Sequence, residues 1–475
     1  MKKSQWLSLI SFVLCAVLMT CLISEIFREK SSSFDVYYEE PQNTVDVLFV
    51  GSSHVYSGYC PAVLWREYGV SAYNVYAWSM PVWTAYYYMC EALKTQTPEV
   101  VFLDVSSFCL GVGIPGAEKK SVVNREQNTT FKAGLPRFLL TLESLTPDSS
   151  TFDLELYHNK WKYPERLEVI HENDLSLAFL RNFGGLFTQL DYEIFDYSFY
   201  TDIMPPGELE QKYIEKITEL SEEKGFKLVY VCTPYTSNKE QTMVLNWTHQ
   251  YAAEHGIDYI DFLGEAGQAV GFDYHLDMAD GDHINVGGAF KITRYCGEYL
   301  KSIGIADRWD NPNAQAITTA ADATYRMIEY TDLFGGDSTA EKFAEWLGEN
   351  SAYSAVLLFP DNVSAAQSVF AAEMTYMDEP AGRVLFVKDG AVVSEDQLVS
   401  EMEIVFPAQQ CTVVRENGEI SVQLSEASEL FCIQNDNLCI VLYDEALAQI
   451  VRIVEISADG TMVTKELSRY LRGSG

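Results

Sequence analysis

Four largely apolar runs constrain the fold of this chain most: VDVLFV (45–50), EVVFLDVSS (99–107), FKLVYVCTP (226–234) and IDYIDF (257–262). A strand wetted on one face alternates polar and apolar residues. A near-continuous apolar run is instead the signature of a strand buried on both faces, as in a parallel sheet covered by helices. Helical segments stand between these runs. PAVLWREYG opens on Pro61 and closes on Gly69, WTAYYYMCEALKTQ follows it, and NVGGAFKITRYCGEYLKSIG ends at Gly304. GELEQKYIEKITELSEEKG places Leu209, Tyr213, Ile217 and Leu220 on one stripe, with Gly225 as the stop. Strand and helix in alternation predict an α/β doubly wound parallel sheet over residues 40–305.

Three further segments flank or interrupt this domain. Residues 110–200 break the rhythm with many aromatics and turn residues, including LYHNKW with His158, Lys160 and Trp161. An insertion of that length above a sheet edge is expected to form a lid or substrate wall. Residues 306–325, DRWDNPNAQAITTAADA and its flanks, are expected to be a linker to a smaller, sheet-rich mixed α/β domain over 326–475. At the other end, Trp6–Phe27 is almost wholly apolar, preceded by Lys2 and Lys3. A run of ~20 such residues spans a bilayer. Residues 1–30 are therefore expected to be an uncleaved signal anchor, N-terminus cytoplasmic and folded domains extracytoplasmic.

Composition excludes some functions. Asp and Glu outnumber Lys and Arg by 68 to 33, a formal charge of −35. Such a surface repels phosphate backbones, so nucleic acid is not expected as a partner, and a neutral or cationic substrate is favoured. The ten cysteines show no C-x-x-C pattern, which argues against zinc. Cys432 and Cys439 flank a turn and could pair, but single buried thiols are the expected state.

The residues that carry chemistry follow the first buried run. Gly51-Ser52-Ser53-His54 is delivered to the carboxyl edge of the sheet, where α/β folds bind ligands. The turn exposes Ser53 at a helix start, where its N–H can face an oxyanion. A plain tight corner would also use small residues here. A serine needs a base, and Asp280-Gly281-Asp282-His283 precedes the last helix of the same domain. An Asp three residues before a His on one loop can hold Nδ1 and leave Nε2 for the serine. Asp273, His275, Asp277 and Asp282 crowd the same stretch; solvated acidity explains them better than a hard-metal site.

A Gly-x-Ser block after the first strand, with Asp-x-x-His before the last helix, resembles the SGNH/GDSL hydrolase superfamily over residues 44–303. The resemblance implies a flavodoxin-like fold, Ser53 as nucleophile, His283 as base and Asp280 as its orienting partner, with no cofactor or metal. The GSSH variant, with Ser52 in place of the usual acid, looks like the membrane-anchored branch near exopolysaccharide and teichoic-acid acylation proteins. Ser79 stands near the family's second-block glycine. Ser106 and Ser107 stand where the third block usually has an Asn donor, a loss worth ~10²–10³ in rate. Ser79, Ser106 and His54 are the candidate oxyanion or substrate-binding groups. The segment NDNLCIVLYDEALAQIVRIVEIS is similar to the interleukin-like epithelial-mesenchymal-transition-inducer type domain, which implies carbohydrate or partner binding.

These features imply a membrane-anchored serine esterase or O-acyltransferase acting on acyl esters of cell-envelope or exported polysaccharide. A multipass membrane acyltransferase is a partner consistent with transfer. The alternative is an impaired, SGNH-like scaffold or glycan-binding protein; the order of Ser before Asp-x-x-His disfavours a periplasmic-type binding protein.

Overall fold

In the computed structural model the described residues are, apart from scattered single positions, 37–109, 134–144, 181–186, 199–334 and, with short interruptions, 339–465. The chain divides into two compact units after Thr324. The first holds a sheet of five strands: β1 (Val47–Gly51), β2 (Ala72–Tyr76), β3 (Val100–Asp104), β4 (Lys227–Cys232) and β5 (Asp258–Asp261). Every pairing is parallel, in the order β2-β1-β3-β4-β5. This is the flavodoxin-like order, in which the chain reverses its direction of winding between β1 and β3 and a crevice opens at their carboxyl ends. The topology alone therefore brings Gly51 and Asp104 to the crevice.

Both faces of the sheet are buried, as the apolar runs require. Leu48, Val50, Val101, Leu103, Leu228 and Tyr230 enter one core cluster, each such aliphatic burial stabilising by ~1.5–3 kcal/mol. On the opposite face Phe49 stacks on Phe102 at 4.8 Å and on Tyr59 at 4.4 Å between ring centres. Helices α1 (Ser53–Gly58), α2 (Pro61–Tyr68), α3 (Val82–Ala92), α4 (Glu208–Lys224) and α5 (Lys239–His255) lie between the strands, and α6 (Val286–Ser302) follows the last of them. Tyr213, Ile217 and Leu220 of α4 are buried, and the helix stops at Gly225 in the left-handed conformation.

Strand β2 and helix α5 add to what the runs predict. The β2 sequence AYNVY carries a polar Asn74 at its centre, which breaks the apolar signal. Its side-chain N–H groups donate to the carbonyls of Val55 (3.2 Å) and Tyr59 (2.7 Å), which satisfies the buried nitrogen and ties the strand to α1 and the residue that ends it. Helix α5 starts with a capping box in which Asn238 and Gln241 bond each other's backbone.

The stretch expected to be a linker is helical from its ninth residue: helix α7 spans Ala314–Phe334. Its alanines are strong helix formers, and Ile317, Ala321 and Thr324 are buried along one stripe. Thr318 accepts a hydrogen bond from the Trp65 indole at 2.9 Å and Asp322 pairs with Arg66, fixing the helix to α2. The expected anchor over residues 1–30 lies mostly outside the described residues; among those described, no helix is long and apolar enough to cross a membrane.

The second unit is a mixed α/β body. Helices α8 (Ala340–Glu349) and α9 (Ala365–Glu373) accompany a six-stranded antiparallel sheet made of Tyr353–Leu358, Arg383–Lys388, Ala391–Gln397, Leu438–Asp444, Gln449–Ile456 and Met462–Lys465. A four-stranded sheet covers its other face. Residues of the central strand sort by parity: Ala355 and Leu357 pack with Phe343 and Phe370 of the helices, whereas Val356 and Leu358 pack with Ile404 and Val413 of the second sheet.

Candidate active site

The crevice is built by a close approach that only glycine allows. A Cβ on Gly51 would lie 2.7 Å from the Cβ of Asp104 and 2.7 Å from a methyl of Val55. Its absence lets the chain turn directly from β1 into α1 beside the end of β3. Ser52 caps α1, its Oγ accepting from the His54 N–H and its carbonyl from the Val55 N–H. Ser53 is the first residue of α1, so its own N–H has no acceptor within the helix.

A stiffened loop carries His283 to the same place. Met278 and Ile284 form an isolated antiparallel bridge, and the His283 carbonyl accepts from the Ala279 N–H at 2.8 Å. After β4, Thr236 donates both its N–H (2.8 Å) and its hydroxyl (2.6 Å) to the Gly281 carbonyl. Asn285 caps α6 through the Gly288 N–H and donates to the Leu276 carbonyl. Asp277 accepts from the Asp273 N–H and pairs with Lys291 at 2.6 Å, while Asp273 accepts from the His275 N–H. Much of the acidity of this loop therefore holds the loop's own shape.

Ser53, His283 and Asp280 meet. The Ser53 hydroxyl lies 2.8 Å from His283 Nε2, and His283 Nδ1 lies 2.9 Å and 3.0 Å from the two carboxylate oxygens of Asp280. Asp280 can only accept from Nδ1–H, which fixes the tautomer and leaves Nε2 to accept the serine proton. Partial burial raises the Asp280 pKa, but the N–H groups of Asp282 and His283 and the imidazole together outweigh it and hold the carboxyl below the usual carboxylate range. The carboxylate is thus charged at neutral pH, a state that its 56% exposed side chain also favours.

The other expected residues divide. Ser79 is exposed on the turn after β2 with φ of +47°, the left-handed region that favours glycine. A serine here therefore occupies a glycine-like backbone, and its carbonyl accepts from the Gln127 side chain at 3.4 Å. Ser106 is buried: its hydroxyl faces that of Ser52 at 3.4 Å and its N–H donates to Asp104 at 2.8 Å. These contacts tie it to the Ser52 cap of α1 and to the end of β3. His54 is buried too, its ring edge-on to that of His283 at 6.0 Å and its Nδ1 3.5 Å from Asp104. The LYHNKW residues and most of the 110–200 insertion lie outside the described residues.

Asp104 and Thr233 are the site residues that sequence reasoning did not find. Asp104 has no exposed surface and accepts from the Ser106 N–H and the Thr233 hydroxyl, each at 2.8 Å. The available signal was an acid inside an apolar run at a strand's carboxyl end. A second such feature is Gly184, whose N–H donates to the Tyr56 carbonyl of α1 at 2.9 Å. A Cβ there would fall 1.7 Å from the Tyr56 ring. Gly184→Ala is expected to overpack this contact and destabilise by ~2 kcal/mol. It should shift α1 as well, so the thermal midpoint and ester turnover are expected to fall together; an unchanged melting curve would contradict the contact.

No protein-family model matches the chain, and no curated protein matches it. Among solved structures, the crystal structure of an acetyl xylan esterase aligns with 55% of this chain and 99% of its own, at 11% identity and a TM-score of 0.27. A likeness that low carries no argument about chemistry, which rests on the geometry above.

Proposed function

We propose that this chain is a membrane-anchored, SGNH-type serine esterase or O-acyltransferase that acts on acyl esters of cell-envelope or exported polysaccharide. The observation that carries the reading is the continuous hydrogen-bonded row from Ser53 Oγ through the His283 imidazole to Asp280. In the first step Oγ bonds to the acyl carbon and its proton passes to His283 Nε2. The carbonyl electron pair moves onto oxygen, next to the free N–H of Ser53. The ester C–O bond then breaks, and the departing alkoxide takes the proton from Nε2, leaving acyl-Ser53. Water or a sugar hydroxyl next loses a proton to Nε2 and attacks the acyl carbon; Ser53 leaves and regains that proton.

The apolar run Trp6–Phe27 preceded by Lys2 and Lys3 supports an anchor and a site outside the cytoplasm, and the acidic chain supports a neutral glycan as substrate. A competing scaffold reading is favoured by one feature, the lack of a side-chain amide after β3. Hydrolysis of a chromogenic acetyl ester by the purified full chain separates the two, since a scaffold gives no turnover above background.

Asp280→Asn is expected to lower kcat by ~10²-fold, less than for a buried carboxylate, because water can partly replace the exposed Asp280 around Nδ1. The depressed carboxyl pKa also sets a pH signature. Its contribution to stability is complete above the ordinary carboxylate value and is lost as pH falls below ~4. The difference in thermal midpoint between the native chain and Asp280→Asn should therefore shrink towards zero in that acid range.

A further inference from the structure

We propose that His54 is a second catalytic group of this site: an imidazolium held by Asp104, whose Nε2–H faces the crevice and donates to the acyl oxygen as it gains charge. The inference rests on the esterase reading and adds a donor to it. Asp104 has no exposed surface. Its two hydrogen bonds come from neutral donors, the Ser106 N–H and the Thr233 hydroxyl. A buried carboxylate with no cation is strongly disfavoured, and His54 is a cation-forming side chain that faces this one, Nδ1 to Oδ2 3.5 Å.

The other titratable groups around the ring supply no charge. Tyr235 lies against it at 5.1 Å between ring centres. Burial keeps Tyr235 and the nearby Cys109 and Cys232 protonated, the Cys109 thiol being pushed up to about 12. His283 faces the ring edge-on at 6.0 Å and is already held by Asp280. Because the His54–Asp104 pair is neutral as a whole, it does not oppose the positive charge His283 takes up during reaction.

The ring is oriented for this role. Nδ1 is sealed from solvent and stands 3.5 Å from Asp104, at ion-pair distance without a hydrogen bond, whereas Nε2 is not sealed in this way, so the slight exposure of His54 lies on its far edge. His54 follows Ser53 in α1, and its ring lies beside that of the histidine bonded to the serine. A charged donor here takes the place of the amide that the residues after β3 do not provide. Two aspartate–histidine pairs thus lie side by side at the crevice, Asp280–His283 to take the Ser53 proton and Asp104–His54 to stabilise the oxyanion.

The test uses the full chain labelled with nitrogen-15 at histidine, with His54→Gln to assign the signal. Protonation of both His54 ring nitrogens at neutral pH, lost in Asp104→Asn, is the expected result; a neutral ring with a bare Nε2 overturns the proposal. Kinetics give a second, independent reading. His54→Ala should lower kcat for an acetyl ester by ~10²-fold with KM changed by less than about three-fold. His54→Gln, which restores an N–H donor at similar reach, should recover at least about ten-fold of that loss. Equal kcat in the native chain and His54→Ala, or equal loss in the Ala and Gln variants, also overturns it. Labelling of Ser53 by a fluorophosphonate in the native chain separates failure of this proposal from failure of the esterase reading: only the latter leaves Ser53 unlabelled.

Discussion

Ser53→Ala is expected to lower kcat for acetyl-ester hydrolysis by at least ~10⁴-fold, because the acyl-enzyme route loses the atom that forms its covalent bond. The substitution removes one oxygen from a half-buried side chain whose hydroxyl is bonded to His283. The cap on α1 is provided by Ser52 and is untouched. Folding should therefore be nearly unchanged, and a melting curve superposable on that of the native chain makes the kinetic loss interpretable. KM should move little, since the serine contributes to the transition state more than to ground-state binding. Retention of more than about one-tenth of the native rate would remove Ser53 from the mechanism.

His283→Ala is expected to match that loss, about 10⁴-fold in kcat, by a different route. Without Nε2 the serine proton has no acceptor at 2.8 Å, and a hydroxyl near its ordinary pKa is a poor nucleophile at neutral pH. The loop itself should survive, because it is held by backbone bonds from Ala279 and by Thr236 rather than by the ring. The ring edge is 24% exposed, so the cavity left by its removal is open to solvent. Added imidazole is therefore expected to restore part of the activity of His283→Ala and none of that of Ser53→Ala. In a double variant the two losses should not add, since each removes the same proton transfer.

The parallel sheet was legible because burial on both faces leaves an apolar run in the sequence, as in VDVLFV. Strand β2 was not, because Asn74 interrupts that signal and its side-chain nitrogen is bonded by carbonyls distant in sequence, those of Val55, Tyr59 and Asn182, that the fold brings to it. The polar, alanine-rich stretch after residue 305 read as linker because its composition masks a helix whose buried stripe is mostly small residues. In the site, Ser53, Asp280 and His283 could be named in advance, since a glycine turn and a D-x-x-H spacing are local features. Their approach across 230 positions is a property of topology: β1 and the loop before α6 end at one crevice. Asp104 escaped notice because its role depends on a neighbour, Gly51, having no side chain. Ser106 could be named from the sequence as a residue near the site, but its contacts, the Ser52 hydroxyl and the Asp104 carboxylate, are set by the fold.

Fluorophosphonate labelling of the full chain, followed by mapping of the modified peptide, tests most directly whether Ser53 is an activated nucleophile. A single phosphonyl adduct on Ser53 of the native chain is expected, formed far more slowly in His283→Ala and absent in Ser53→Ala. An unlabelled Ser53 in correctly folded protein, or labelling at an equal rate without His283, would contradict it.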